Sequence, residues 1–597
     1  LPSSTFIVTS GLEFDRARAL ARPGDRFICS THAGLRSALD AGYGAVLLDS
    51  SHLAPRFELI NRWALRVLLN LTSRHRGSRR HLEFLECNQY WIRMDLIRTA
   101  KFFMTWDRVF AADAGGTVHI ADSADLLFRL SLEEWAAARR PGMSVKIFGA
   151  VPDPAVALGR PGGCLKRGLS AAANGSDRLV RRLAGRRPAV VISGSQRHLG
   201  GLASVLLERG TRLICLDTQV HIKTWMWCLS KGVRYRVMDT TLDTGCPFGA
   251  GEVFLKEEER VIGDHRLPGS VDRILSAVWA RPAAAPRVDH RRLERWAAGE
   301  RIEAVVLDED VATRRPLLLM ARSAGVPAFV TSHGVPMYRI GAGTEEAPAH
   351  ADSAVIYVNS EFEKEIYAGH FLDPARLVVT GVPRYDPLPM YGARVRRGER
   401  SDARPRTVLY CASSVIPHDF SRAIPIDDFM SAGNYSLEFN RRYLSDLVRA
   451  TAAVPGARLV VKPHYADEDV YREWLGEMGA SGVRIASHDA DLFGLQSECD
   501  VMVTAESTVM FEAAFLGKPV ILMHYQEAPL QIMSGDETWL RVARSSGDLD
   551  RYLSDGLAGR ITRASGDLLK RYWAYADGKN TQRVADHMLS LMSGRGQ

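Results

Sequence analysis

No stretch of this 597-residue chain reaches the roughly 18 uninterrupted apolar residues that a membrane-crossing helix needs. Its eight cysteines (Cys29, Cys87, Cys164, Cys215, Cys228, Cys246, Cys411 and Cys499) are scattered, and none forms a C-x-x-C pair. That spacing argues against a zinc site and a disulfide framework and fits a reducing compartment. There is no RNP-like aromatic strand, zinc finger or long basic run, so nucleic acid is not an expected partner. No internal repeat marks a solenoid or propeller. The opening residues, LPSSTFIVTS, have neither an initiator Met nor a basic segment followed by an apolar core. The expectation there is an excised domain rather than a signal peptide.

What is present is ordinary for a globular protein: 46% apolar and 24% charged residues. The length calls for at least two cores. The formal charge of +8 implies an Arg-rich surface and attraction to anionic lipid heads, an anionic glycan or a nucleotide.

Short apolar runs alternate with helical patterns, which predicts an α/β fold with mainly parallel strands. Expected strands are Phe6–Thr9, Arg26–Cys29, Ala45–Leu48, Ala189–Ile192, Arg212–Leu216, Ala304–Leu307, Ala328–Thr331 and Ala354–Val358. A second run holds Thr407–Tyr410, Arg458–Val461, Val483–Ile485, Asp500–Thr504 and Pro519–Met523. Residues 52–145 read as a helical, aromatic-rich insertion with weak strands near Val109 and Val118, and 240–300 as a second, irregular and then helical one. The Arg-, Gly- and Pro-rich segment 390–406 has no apolar period and is expected to be a hinge or loop.

The densest constellation lies in 458–523. A strand delivers Lys462, Pro463 and His464 at its carboxyl end, the edge where open parallel sheets bind ligands. A later strand ends in A-E-S-T, and a helix follows at once. Ser507 and Thr508 therefore stand at a helix start, where unpaired N–H groups favour a phosphate. Simple capping by Ser507 is the alternative.

The K-P-H strand end, the D-x-x-x-L approach, the S-T turn and E-A-x-x-x-G-K-P-V-I together resemble the donor-binding half of GT-B transferases that use CMP- or CDP-linked donors. These include bacterial sialyltransferases, Kdo transferases of capsule and O-antigen assembly, and CDP-glycerol polymerases. The resemblance is good over 375–530, looser over 185–370 and nearly absent over 1–185. It implies two Rossmann-like domains facing a cleft: 1–375 on the acceptor side, and 376–597 binding the donor and carrying the terminal helices. It also implies that His464, Ser507 and Thr508 hold the donor phosphate and that Glu512 makes a ribose or capping contact. Lys462 would shape the base pocket and Asp491 is a further ribose candidate. Tyr465 stands where the family pattern has Pro. Ser413 and Ser414, after the first strand of this half, are candidate donor contacts.

On the facing side, Asp308-Glu309-Asp310 follows a strand and precedes Arg314 and Arg315. The E-D-x-x-x-R run resembles a motif of retaining β-Kdo transferases, which implies Asp310 as nucleophile or base, with Glu309 beside it. Three crowded carboxylates also call for a reason beyond helix capping. His333, in an H-G turn, is a candidate base or donor ligand. Arg384, in G-V-P-R-Y-D, is a candidate anion contact, with an ion pair to Asp386 as the alternative. The S-G-S-Q-R turn at 193–197 reads as an acceptor or phosphate loop, or as a plain connection.

The leading expectation is transfer of a Kdo-like acidic sugar from a CMP donor to a surface glycan, lipid-linked in one version. It needs no metal and no cofactor beyond the donor, and is placed in the cytoplasm or at the inner membrane face. A CDP-glycerol-type polyol phosphotransferase is the alternative. A UDP-sugar transferase or epimerase is a further reading, and a non-catalytic glycan- or nucleotide-binding module is the reading of another class.

Overall fold

The structure is a computed structural model. It describes residues 4–593 apart from 49–52, 54–55, 79–80, 82–83, 86–88, 112–115, 123, 149–168, 178–187, 195, 218–220, 239, 242–246, 250–251, 281–286, 289, 309–313, 332–353, 369–373, 397–404, 414–436, 465–466, 488, 506, 526–529, 531–537 and 565.

Three parallel sheets carry the chain. The first holds β1 (Thr5–Val8), β2 (Arg26–Cys29), β3 (Gly44–Leu47), β4 (Gly116–Ala121) and β5 (Met143–Phe148), in the order β3-β2-β1-β4-β5. The second begins with β6 (Ala189–Ser193), β7 (Leu213–Asp217) and β8 (Arg234–Val237). Two short antiparallel ribbons follow: β9 (Thr240–Thr241) with β12 (Arg287–Val288), and β10 (Val261–Ile262) with β11 (His265–Arg266). The second sheet resumes with β13 (Ile302–Leu307), β14 (Ala328–Thr331), β15 (Ala354–Val358) and β16 (Leu377–Val379), in the order β16-β15-β14-β13-β6-β7-β8. The third comprises β17 (Arg406–Cys411), β18 (Ala457–Lys462), β19 (Arg484–Ile485), β20 (Val501–Thr504), β21 (Val520–Met523) and β22 (Leu540–Ala543), in the order β19-β18-β17-β20-β21-β22.

The central strands read as unbroken apolar runs because helices cover both faces. AVVIS in β6 and VLYC in β17 are buried throughout. In each sheet the strand order reverses once, at β1/β4, β6/β13 and β17/β20. Such reversals open a crevice outside the carboxyl ends of the strands, because neighbouring connections depart to opposite faces.

The fold is α/β with doubly wound parallel sheets, as the alternating pattern predicts. Residues 1–375 nevertheless contain two sheets. The stretch 52–145 is helical over Phe57–Arg74, Gln89–Val109 and Leu126–Arg139, but β4 inside it pairs with β1. Val109, expected near a strand, closes a helix. The 240–300 excursion leaves the second sheet and packs on the first unit. Phe248, Phe254, Leu255, Val271, Ile274 and Trp279 share a core with Trp63, Trp106 and Trp135. Trp63 donates to the Glu259 carbonyl at 2.5 Å, and Asp272 accepts from the Phe254 and Leu255 amides and from Arg260.

The last helix, Asn580–Ser593, crosses back to the second sheet. Val584, Ala585 and Met588 are buried with Val190, Leu199 and Leu202. Asp386 receives the Asn580 and Thr581 amides at 2.7 and 2.9 Å and so holds the helix start. Gly381 lies under the Asn580 side chain with φ of +74°, and a Cβ there would come within 2.1 Å of Asn580 Oδ1. Only glycine fits both the backbone and the space.

Candidate functional site

The third sheet brings the C-terminal candidates to one edge. Cys411, at the end of β17, pairs in register with Lys462 of β18 and with Thr504 of β20. The strands are parallel, so Lys462–His464 and Ser507–Thr508 emerge on the same side. They flank β17 with two strand spacings, ~10 Å, between their origins. The crevice between them is the β17/β20 reversal.

Hydrogen bonds fix this edge. The Ala412 amide donates to the Lys462 carbonyl at 3.1 Å, and Thr504 Oγ1 to the Cys411 carbonyl at 2.8 Å. Lys462 Nζ donates to the Pro463 carbonyl at 3.2 Å. His464 is exposed, and its carbonyl accepts the Asp467 amide at 3.0 Å. Partial removal of the imidazole from water lowers its pKa from the ordinary value. Asp467 opposes that shift and Lys462 adds to it. The ring is therefore neutral near pH 7. Ser413 is 6% exposed, and its Oγ has no hydrogen-bond partner among the described residues. A buried hydroxyl left in that state suits a ligand oxygen.

The cap residue of the helix Val509–Phe515 is Thr508, and its side chain makes no capping bond. Ser507 contributes only its carbonyl, to the Met510 amide at 3.2 Å. Capping by the Ser507 hydroxyl is not what the structure shows.

Glu512 and Arg384 depart from the expectation. Glu512 is fully buried, 2.7 Å from Arg384, with Gln496 Nε2 3.5 Å from its second oxygen. Burial raises its pKa, and Arg384 counteracts that. A ribose contact would require breaking this pair. Arg384 thus meets Glu512, while Asp386, its other expected partner, holds the terminal helix. Asp491 accepts from the Tyr391 hydroxyl and stands before the helix Leu492–Glu498 without capping it. Two residues earlier, Asp489 meets Lys223, which follows β7 of the second sheet, at 3.2 Å.

Asp310, Glu309, His333 and Ser414 lie outside the described residues. Arg314 is described, and it reveals a cluster that the sequence reading left unassembled. Arg314 lies 3.5 Å from Asp308 and 4.0 Å from Asp217, both buried. Asp308 is also 3.2 Å from His198 Nδ1, and Asp217 is 3.7 Å from His221 Nε2. A Cβ on Gly194 would sit 2.5 Å from the Asp308 carboxyl carbon, so glycine is what lets that carboxylate approach β6. The cluster spans the carboxyl ends of β13, β6 and β7 at the β6/β13 reversal. The only sequence signal was an apolar strand ending in Asp217 with His221 one turn on, and S-G-S-Q-R-H after β6.

Among the described residues, no group of three or more His, Cys, Asp or Glu side chains is placed to hold a metal ion, and no helix is long and apolar enough to cross a membrane.

Residues 434–590 match a family model described as CDP-glycerol:poly(glycerophosphate) glycerophosphotransferase. The matched span contains Lys462, His464, Ser507 and Thr508. No curated protein sequence gives a significant match. Among solved structures, the wall teichoic acid polymerase TagF is 13% identical with a TM-score of 0.41, covering 68% of this chain and 90% of that one. S. aureus MnaA, solved with UDP, is 14% identical with a TM-score of 0.42, covering 68% and 97%. The UDP-GlcNAc 2-epimerase from Neisseria meningitidis is 11% identical with a TM-score of 0.43, covering 68% and 100%. These likenesses are distant, and the functional reading rests on the family match and the site. The chain is a transferase, of the glycosyl- or phosphotransferase kind.

Proposed function

We propose that this transferase moves a polyol phosphate, glycerol phosphate in the first instance, from a CDP-linked donor to a hydroxyl of a glycan or polyol-phosphate acceptor. The observation that carries the reading is the family match over 434–590, which encloses both segments at the β17/β20 crevice. The sugar reading, with CMP-Kdo as donor, would use the same corner but has no counterpart in that match.

In this reading the donor pyrophosphate lies between the Lys462–His464 corner and the Ser507–Thr508 turn. The acceptor oxygen bonds to the glycerol-bearing phosphorus, the bridging P–O bond breaks, and CMP leaves with the electron pair. Lys462, the two hydroxyls and His464 offset charge on the phosphate oxygens, where fixed donors are worth most. Asp491 and Ser413 are assigned to the nucleoside end. The reaction is assigned no metal or cofactor, so chelator treatment should leave turnover unchanged. The charge of +8 supports an anionic acceptor, or one presented at an anionic membrane surface.

The test is acceptor-dependent CMP release from CDP-glycerol and, separately, from CMP-Kdo. CDP-glycerol should be turned over, and His464→Ala should lower its kcat/KM about 100-fold. Turnover of CMP-Kdo alone would replace this reading with the sugar transferase.

A further inference from the structure

The unit built on the first sheet supplies none of the residues of the proposed transfer site, yet it encloses a charged cavity. The hairpin of β10 and β11 lies against the start of the helix Phe57–Arg74 and the end of the helix Gln89–Val109. Between them is a cavity of about 350 Å³ lined by Leu53, Arg56, Met104, Asp107, Arg108 and His265. That volume is in the range of small-ligand pockets. A second cavity beside the hairpin, of about 360 Å³, has Leu59, Leu69 and Val261 in its lining and is more apolar.

The first cavity presents two guanidiniums and an imidazole against one carboxylate. That carboxylate, Asp107, is already engaged. Trp135 Nε1 donates to one of its oxygens at 2.7 Å, and His265 Nδ1 lies 3.4 Å from the other. With Nδ1–H turned to Asp107, His265 Nε2 carries the lone pair. Nε2 is buried and has no hydrogen-bond partner among the described residues. Loss of water around the ring lowers its pKa. Asp107 and Asp264 oppose that shift, while Arg139 and Arg56 add to it. Arg108 is exposed in the last turn of its helix and makes no ion pair among the described residues. Arg56 meets Asp264 of the hairpin turn at 3.0 Å, but 44% and 75% of the two side chains face water, so the pair is loosely held. Arg56 is also the cap residue of the 18-residue helix Phe57–Arg74 and makes no side-chain capping bond. The dipole of that helix adds positive potential beside the cavity.

We propose that this cavity binds a phosphomonoester group, an anion that brings charge for the guanidiniums and a proton for the imidazole. The phosphate oxygens accept from Arg56 and Arg108. The P–OH of the monoanion, with a pKa of about 6, donates to His265 Nε2. Sulfate has the same shape but no proton to give near neutral pH, and its oxygens would face the Nε2 lone pair. The occupant competes with Asp264 for Arg56, so the hairpin turn is its internal rival. Two sources supply this chemistry. A small soluble ester fills the polar cavity alone, whereas a lipid headgroup carries an acyl chain that suits the apolar cavity beside the hairpin. The site is separate from the transfer reaction proposed above and does not depend on it.

The experiment is calorimetry of the full chain at about pH 6.5, where the phosphate monoanion is populated. Saturating CDP keeps the donor corner from taking up the probes, which are inorganic phosphate, glycerol phosphate and inorganic sulfate. Both phosphates should bind at a single site, about tenfold more tightly than sulfate. Arg108→Ala should weaken phosphate about tenfold. His265→Asn keeps an N–H for Asp107 and deletes Nε2, and it should remove the preference for phosphate over sulfate. Should that variant not fold, Arg108→Ala, at an exposed position, still decides the matter. Asp264→Ala should act in the opposite direction and tighten phosphate about threefold by freeing Arg56. Sedimentation with phosphatidylcholine vesicles, with and without phosphatidic acid, separates the sources. Capture that needs phosphatidic acid and is lost in Arg108→Ala assigns a lipid headgroup, and binding of the soluble phosphates alone assigns a small ester. Unchanged phosphate affinity in Arg108→Ala overturns the proposal, as do equal affinities for sulfate and phosphate, weaker binding in Asp264→Ala, or no binding of any phosphate probe. A chain that binds no CDP fails the donor reading alone, because the response to Arg108→Ala is still judged.

Discussion

At the scale of single residues, the chemistry turns on which polar groups are committed and which are not. At His464, partial burial favours the neutral form; the proposed donor would meet it in that state. An anionic phosphate beside it favours the charged form, so its pKa rises on binding and the complex takes up a proton. Donor affinity should therefore increase as pH falls through the window between the bound pKa and the depressed free one. Calorimetry of CDP binding in buffers of different ionisation enthalpy should register that uptake, and His464→Gln should abolish it. Gly194→Ala is a second prediction. The added methyl would press on Asp308 at 2.5 Å and displace it from His198. The melting temperature should fall by several degrees, because overpacking at this strand end costs about 1–3 kcal/mol. The placement of His464, Ser507 and Thr508 at one sheet edge was legible because strand-end and helix-start residues declare their position by pattern. For Glu512, periodicity places it on a helix but cannot say that Arg384, 128 residues away, pairs with it.

At the scale of elements, the same pair joins the turn Pro383–Tyr385 to the helix Val509–Phe515. Removing one member of a buried pair leaves an uncompensated charge. Arg384→Ala should cost about 3–5 kcal/mol, read as a shift in urea midpoint. The double change Arg384→Met with Glu512→Leu should recover most of that loss, because two apolar groups leave no stranded carboxylate. Strands were the most legible elements. β6, β13, β14, β15, β17, β18, β20 and β21 all fall within two residues of their expected bounds, because continuous apolar runs between turn signals have few other interpretations. At the sheet edges β3 and β19 were read, but β5, β8, β16 and β22 were not. The long amphipathic helices around β4 likewise masked its pairing with β1.

At the scale of the whole molecule, the terminal helix Asn580–Ser593 ties the C-terminal segment to the second sheet. It follows the third sheet in sequence but buries Val584 and Met588 in the core of the second. Truncation after Lys579 should expose that core and cost about 3–6 kcal/mol from these two side chains alone. A lowered melting temperature with retained far-ultraviolet helical signal would be the expected result. Lys223–Asp489, an exposed pair between the second and third sheets' segments, should by contrast contribute at most about 1 kcal/mol, and less at high salt. By itself, the sequence determined the parallel α/β layering and the positions of the main strands along the chain, because these follow from local periodicity and from residues a few positions apart. Only the tertiary structure decided that the first 375 residues form two sheets, that 248–279 returns to the first of them, and that His198, Asp217, Asp308 and Arg314 meet at one edge. Those outcomes depend on which apolar faces bury each other and which charges that burial forces together, and contacts between distant segments leave no period in the chain.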